Sequence, residues 1–338
     1  MAYTLTFSII IPLCHRGQLL RKALASLGRL DFPPEEMEVL ISGPVDDDDS
    51  RRTVETEAAS ARFPIRYVSS YSPSRPAALN AACTVARGKY LVFLDDDCFA
   101  AQDWLTRLME TLENEPNVGV VGGVDELIGG SSSFDLALDS ILGSSLATGG
   151  CRRGTGTRVA KYYPKLWNMA MPRQVALEIA TKRGSRTQVF DETLTVYEDV
   201  DLADRAECLD KRLVFAPRVR VSHRRETTFL ETLRRDFDMA RTCRVLRVHR
   251  LPHSMLVAAV LTALVLLVLT PLFSACGVAL LVGLGIYSLL LATVAAQGFL
   301  RTRQPVILLL IPALMVSLHA ARAFGYILGR WRPDRTAG

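Results

Sequence analysis

The sequence predicts an α/β fold with a mostly parallel sheet, followed by a C-terminal transmembrane helical region. Three observations carry that prediction. Apolar strand-length runs at Leu5–Pro12, Glu38–Ser42, Ile65–Ser69 and Tyr90–Leu94 alternate with helical patterns, as successive βαβ units do. The last run ends in Asp95-Asp96-Asp97, and open α/β sheets bind ligands at the carboxyl ends of their strands. Finally, Met255–Ala296 contains no charged residue, although about 20 apolar residues suffice for a membrane-spanning helix.

Taken in order, Leu5–Pro12 is a β-branched run closed by proline, and Arg16–Leu27 spaces Leu19, Leu20, Ala23, Leu24 and Leu27 at helical intervals. Glu38–Ser42 leads into Gly43-Pro44 and the acidic loop Asp46–Asp49, where Asp49 or Ser50 can cap a helix over Arg51–Ala61. Ile65–Ser69, a helix over Ala77–Ala86 and the strand Tyr90–Leu94 follow. Trp104–Leu112 reads as helix and Val118–Val121 as strand, closed by Gly122-Gly123. Gly129–Gly156, rich in Gly and Ser, is expected to be a long irregular loop. Trp167–Met171 returns to strand character, Pro172 can start a helix, and Glu198-Asp199-Val200-Asp201 opens another with acidic residues that suit the positive end of its dipole. Arg212–Phe215 and Val219–Ser222 read as two short strands, the second ending at His223. Thr228–Val248 is amphipathic, with arginines around an apolar face, and suits either a headgroup interface or the domain surface.

The organisation expected is an α/β domain over residues 1–225, a basic interfacial helix or linker over 226–250, and a membrane region of two to three hydrophobic helices over 251–338. Thr270-Pro271 and Ser274–Gly277 offer the turn of a two-span hairpin, and Pro305–Leu318 leads a shorter third segment (305–326), read as incomplete or interfacial. Arginines flank both sides of the hairpin, so the positive-inside rule places the α/β domain on the cytoplasmic face of a multi-pass cell-membrane protein. The net charge of +5 is mild, and its excess lies between Arg234 and Arg250 without aromatic interleaving, which points to membrane lipids and not to nucleic acid. Seven scattered cysteines include no Cys-x-x-Cys pair and imply neither a disulfide framework nor a zinc site.

Read alone, the Asp95–Asp97 triplet is either a solvated acidic turn or a site for a hard divalent cation. Alternation in an extended segment turns Asp96 away from its neighbours. His223 is either a further metal ligand or an ordinary hydrogen-bonded histidine.

In their order along the chain, several blocks resemble family 2 glycosyltransferases. These are Ser8–Arg16, Arg75-Pro-Ala-Ala-Leu-Asn80, Ala86–Asp97, Gly122-Gly123, Asn168, Phe190-Asp-Glu192 and Glu198-Asp-Val-Asp-Leu202. His15 stands where Asn is usual, Leu79 where many members have Arg, and Gly43–Asp49 replaces the usual Asp-Asp-Gly-Ser.

The resemblance, which covers Leu5–Val248, implies a GT-A fold (Rossmann-like, mostly parallel sheet) and inverting sugar transfer from a nucleotide-diphosphate sugar. A UDP-sugar donor, Mg²⁺ or Mn²⁺, and an acceptor hydroxyl on a lipid-linked or cell-surface glycan are expected. Asp97 is then the metal residue, with Asp95 for metal or ribose and His223 as a further candidate. Asp199 is the implied base with Glu198 as runner-up, although both also suit a helix cap. Donor contacts are assigned to Pro12, His15, Arg16, Asp47 or Asp48, Arg75, Asn80, Asp95 and Asp96. Trp167 and Asn168 are placed by position on the acceptor side. Arg234, Arg235 and Arg241 neutralise either a diphosphate or anionic headgroups. A polyprenyl-phosphate sugar synthase and a non-catalytic nucleotide-sugar-binding membrane protein are the alternatives.

Overall fold

The structure, a computed structural model, describes residues 4–13, 17–128, 132–148, 162–182, 184, 188–224, 227–246 and 250–329. The chain divides into two compact units, Met1–Ile128 with Tyr163–Arg224, and Gly129–Tyr162 with Arg225–Gly338. Residues 129–162 thus group with the C-terminal helices, so the packing does not draw a boundary around 1–225 as one continuous domain.

The first unit is built on one eight-stranded sheet. Its strands are β1 (Leu5–Pro12), β2 (Met37–Pro44), β3 (Ile65–Ser70), β4 (Gly88–Phe93), β5 (Cys98–Ala100), β6 (Val118–Leu127), β7 (Met169–Pro172) and β8 (Arg212–His223), in the spatial order β3-β2-β1-β4-β7-β6-β8-β5. The pairings β1–β2, β1–β4, β2–β3 and β6–β8 are parallel, while β7 and β5 run antiparallel to their neighbours. Both faces are covered. Phe7, Ile9 and Ile11 of β1 join Tyr90 and Val92 of β4 in one core, whereas Ile10, Leu91 and Phe93 enter the other. Two buried faces explain why these strands read as continuous apolar runs instead of alternating ones.

The helices α1 (Gly17–Leu27), α2 (Asp48–Ala58), α3 (Arg75–Val85) and α4 (Trp104–Asn114) occupy the expected intervals. α2 begins earlier than the sequence suggested, because Asp47, not Asp49 or Ser50, is its cap: the carboxylate accepts from Ser50 N at 3.0 Å. After the loop from Asp95, β5 is a three-residue strand with no period to announce it, paired to β8 with Cys98 opposite His223. The two short strands expected at 212–222 are one strand, β8, with a register shift against β6 between Gly122 and Val124. Gly123 sits at that shift. A Cβ there would lie 2.1 Å from Val219 O and 2.4 Å from Asn168 Nδ2, so only glycine permits the approach.

The second unit is helical in its described residues. Within the stretch expected to be irregular, α5 (Ser133–Gly143) and α6 (Ser145–Thr148) form. A capping box between Ser132 and Asp135 starts α5, and Ala137, Leu138 and Ile141 bury against Val294, Ala295, Ile307 and Ile311. Serine and glycine had masked a short apolar face. After α7 (Arg173–Lys182) and α8 (Glu198–Glu207) of the first unit come α9 (Phe229–Leu246), α10 (Arg250–Leu269), α11 (Ser274–Thr302) and α12 (Ile307–Leu328).

By length and composition α11 and α12 could each cross a membrane, while the apolar part of α10, Ser254–Leu269, is shorter. The third segment, expected to be incomplete, is therefore a full 22-residue helix. Its polar positions are absorbed by neighbours: Arg322 Nε donates to Asp236 Oδ2 of α9 at 2.7 Å, and Gly325 lets α9 come within reach at Phe237.

Candidate active site

Three groups of side chains meet at the carboxyl end of β4. The first is Asp95 with Arg75, the opening residue of α3. Ser74 caps that helix and Pro76 stiffens its first turn, which fixes where the guanidinium can reach. Arg75 Nη2 donates to Asp95 Oδ1, and Nη1 lies 3.5 Å from Glu198 Oε1 at the start of α8. One cation therefore joins carboxylates 103 residues apart in the chain. Burial, with the charges of Asp199 and Asp95, raises the Glu198 carboxyl above its ordinary value despite Arg75.

The second group is Asp97, Cys98 and His223, whose ligand atoms all lie within 4.8 Å of one another. His223 Nε2 is 3.3 Å from Asp97 Oδ1, and its Nδ1 is 3.8 Å from Asp125 Oδ2. The Cys98 thiol donates to Asp97 Oδ1 at 3.7 Å. Burial and the surrounding carboxylates push that thiol well above its ordinary value. The antiparallel β5–β8 pairing places Cys98 and His223 side by side on one face, and the Trp167 ring lies 5.4 Å from the imidazole. Carboxylate, imidazole and sulfur in one small volume make a donor set for a divalent cation. Cys98 stands in this group, while Asp95, which the sequence had also suggested for the metal, is engaged with Arg75. Asp96 is 1% exposed, against 9% for Asp95 and 8% for Asp97.

The third group is Asp199 in the first turn of α8. Oδ1 accepts from Val200 N at 2.8 Å, and Oδ2 accepts from Lys165 Nζ at 3.1 Å. Tyr197 precedes the helix with φ 65°, a left-handed conformation unusual for a bulky residue and often found where function over-determines the backbone. Lys165 was not singled out by the sequence. It lies 34 residues before Asp199 in a segment with no periodicity, and nothing local marks it.

Two asparagines do other work than expected. Asn80 Nδ2 donates to Phe190 O and Glu192 Oε1, and its Oδ1 accepts from Phe190 N. Both ends of the amide are engaged in tethering α3 to the loop before α8, so Asn80 is scaffold and not a donor contact. Asn168 likewise donates to Val124 O and Val219 O and accepts from Trp104 Nε1 at 2.9 Å. Fully buried and saturated, it pins β6, β8 and α4 instead of facing an acceptor. Pro12 closes β1 beside β2, with Leu13 N donating to Ser42 O at 2.8 Å. Asp47 is committed to capping α2, while Asp48 stands exposed in that helix's first turn. His15 and Arg16 lie outside the described residues. Arg234, Arg235 and Arg241 lie on α9 of the second unit, the first two exposed.

The chain as a whole is similar to known proteins. The model of the family described as Glycosyl transferase family 2 matches residues 8–192. The succinoglycan biosynthesis protein ExoM of Rhizobium meliloti (strain 1021) is 31% identical over 121 residues, 35% of this chain. The match spans only 39% of that relative's length. Among solved structures, the mannosyltransferase PcManGT from Pyrobaculum calidifontis, in complex with GDP-Man and Mn²⁺, superposes with a TM-score of 0.57 at 15% identity, covering 95% of this chain and 90% of that one. TarS residues 1–349 of S. aureus, in complex with UDP-GlcNAc, gives 0.50 at 15% identity, covering 96% and 90%. At such identities the structural likeness speaks for the fold, which is GT-A.

Proposed function

The chain belongs to glycosyl transferase family 2 and is a glycosyltransferase, and from that premise we propose a membrane-anchored, metal-dependent inverting enzyme. It moves a sugar from a nucleotide-diphosphate donor, a UDP-sugar in the simplest reading, to a hydroxyl of a lipid-linked or cell-surface glycan. The single observation that carries the reading is Arg75, which ties the carboxylate after β4 to the acidic start of α8. In this reading one guanidinium links the donor side to the base side.

Asp97 and His223, with Cys98 at their side, would hold the divalent cation. Their mixed oxygen and nitrogen donors suit Mn²⁺ better than Mg²⁺, which prefers oxygen alone. When bound, the cation supplies Lewis-acid stabilisation of the departing diphosphate. Pro12 at the carboxyl end of β1 and Asp48 in the first turn of α2 would border the nucleotide base, and Asp95 with Arg75 would orient the ribose-phosphate.

Asp199 accepts the proton of the acceptor hydroxyl while its oxygen attacks the anomeric carbon. The new C–O bond forms as the bond to the diphosphate breaks, and the electron pair leaves with the phosphate. Kinship with a succinoglycan biosynthesis protein over part of the chain supports a polysaccharide product. The apolar α10–α12 supply the tether, and the arginines of α9 favour an anionic cytoplasmic leaflet.

The test is detergent-purified full-length chain with Mn²⁺, screened against UDP-, GDP- and dTDP-sugars for binding and slow hydrolysis. Saturable binding of one donor, with hydrolysis lost in Asp97→Asn, is the expected result. Turnover that survives chelation and Asp97→Asn would overturn the metal assignment.

A further inference from the structure

We propose that Lys165 is the positioning residue for the proton-accepting carboxylate, holding Asp199 aimed at the acceptor. The inference rests on the reading of Asp199 as base and adds to it a residue that no sequence motif marks.

Four observations converge. Asp199 Oδ1 is committed to Val200 N of its own helix, so Oδ2 is the oxygen left for proton transfer, and that is the oxygen Lys165 contacts at 3.1 Å. Asp199 is also buried, 7% exposed, beside a second buried carboxylate, Glu198. Adjacent carboxylates taken out of water are stabilised by paired cations. Arg75 is already shared between Asp95 and Glu198, and Lys165 is the cation placed on Asp199. The other charged and titratable groups nearby have partners of their own: Asp201 accepts from Arg205, and Asp204 accepts from Tyr163 Oη at 2.9 Å.

Third, the backbone that carries Lys165 is anchored. Asn168 N donates to Lys165 O at 2.9 Å, and the Asn168 amide is itself held by Val124, Val219 and Trp104. A flexible side chain therefore projects from a rigid base. Fourth, Nζ lies 5.8 Å from the centroid of Tyr197, the left-handed residue that turns the chain into α8. One ammonium thus touches both the turn that aims the carboxylate and the carboxylate itself.

The side chain of Lys165 is 28% exposed against 11% for Asp199, so the ammonium can swing outward when a hydroxyl takes its place at Oδ2. In the transfer step the acceptor O–H bond breaks toward Oδ2, the acceptor oxygen bonds the anomeric carbon, and the leaving diphosphate keeps the electron pair. Lys165 takes no proton in that balance. Its part is to hold Asp199 in one orientation.

The experiment uses the full chain in detergent with Mn²⁺ and the nucleotide sugar it hydrolyses fastest, water being the acceptor. Lys165→Met, Lys165→Gln, Lys165→Arg and Asp199→Asn are compared for hydrolysis rate at saturating donor, donor Kd, pH–rate profile and thermal midpoint. Lys165→Met and Lys165→Gln are expected to slow hydrolysis about 10–100-fold, the scale of a misplaced catalytic group. Donor Kd should be unchanged, and Lys165→Arg should recover most of the rate. Rates equal to the unmodified chain in Lys165→Met and Lys165→Gln, with Asp199→Asn inactive, would overturn the proposal and leave the base reading standing. A loss confined to donor Kd would assign Lys165 to the donor and overturn it as well. Full activity in Asp199→Asn would remove the base reading, and this proposal with it.

Discussion

Two buried acidic sites in the first unit are handled in opposite ways. Near the amino ends of β1, β2 and β4, Glu38 is fully buried and served from several directions. Ser8 Oγ donates at 2.7 Å, Arg87 N at 2.8 Å, Arg66 Nη2 at 2.8 Å and Arg87 Nη2 at 3.0 Å. Burial alone would raise its carboxyl, but these donors outweigh burial and hold it below the ordinary 4.5. At the carboxyl end, among the described residues, Asp95, Glu198 and Asp199 share two cations, Arg75 and Lys165, and the Glu198 carboxyl is raised. The oversupplied carboxylate is a fastener between strands. The second cluster keeps negative charge concentrated at the site proposed for donor and acceptor.

The contrast breaks most sharply by exchanging which carboxylate is neutralised. Asp199→Asn should cut sugar transfer to a hydroxyl about 10²–10⁴-fold, with the urea midpoint of unfolding held. Retained activity would instead point to a phosphate acceptor, which needs little help from a base. Glu38→Gln should do the reverse, leaving activity per folded molecule intact while costing about 1.5–3 kcal/mol of stability, the range for hydrogen bonds to a charged group. The lower part of that range is expected, since both guanidinium groups reach water and regain solvation there.

A pH series of urea melts sharpens the same point. Glu38 is lowered in the folded state, so its contribution is complete above about 4.5 and disappears as pH falls through the folded value. Glu198 is raised, so it favours folding below its unfolded value and that advantage is lost as pH rises through the folded one. As pH falls below about 4.5 the difference between Glu38→Gln and the unmodified chain should therefore shrink. The smallest effect expected is from Glu198→Gln at pH 7, a neutral to slightly raised thermal midpoint, about 1 kcal/mol or less. A marked loss there would mean that Glu198 is a fastener like Glu38.

Much of the fold was legible because it is local. Leu5–Pro12 and Trp104–Leu112 announced themselves by runs and spacing, and β1 and α4 fall there. α5 was not legible, since a serine- and glycine-rich segment hid a capping box and three apolar contacts. Neither was β5, too short to carry a period. The site divides in the same way. The acidic triplet and Glu198-Asp199 stood out as charges at the ends of apolar patterns. Asn80 and Asn168 also stood out, yet their amides serve backbone atoms across the fold.

By itself, then, the sequence determined the alternation of strands and helices, the family, the apolar C-terminal helices and the acidic residues on which chemistry can turn. Periodicity and charge are properties of neighbours along the chain, and these features follow from them. Only the tertiary structure decided that Cys98 stands with Asp97 and His223, that Arg75 spans Asp95 and Glu198, and that Lys165 reaches Asp199. Each of those contacts depends on the sheet order and on where β5, α8 and the segment before β7 come to rest. Partners more than 30 residues apart leave no periodic trace, so the same residues in another strand order would have carried the same sequence pattern without forming the site.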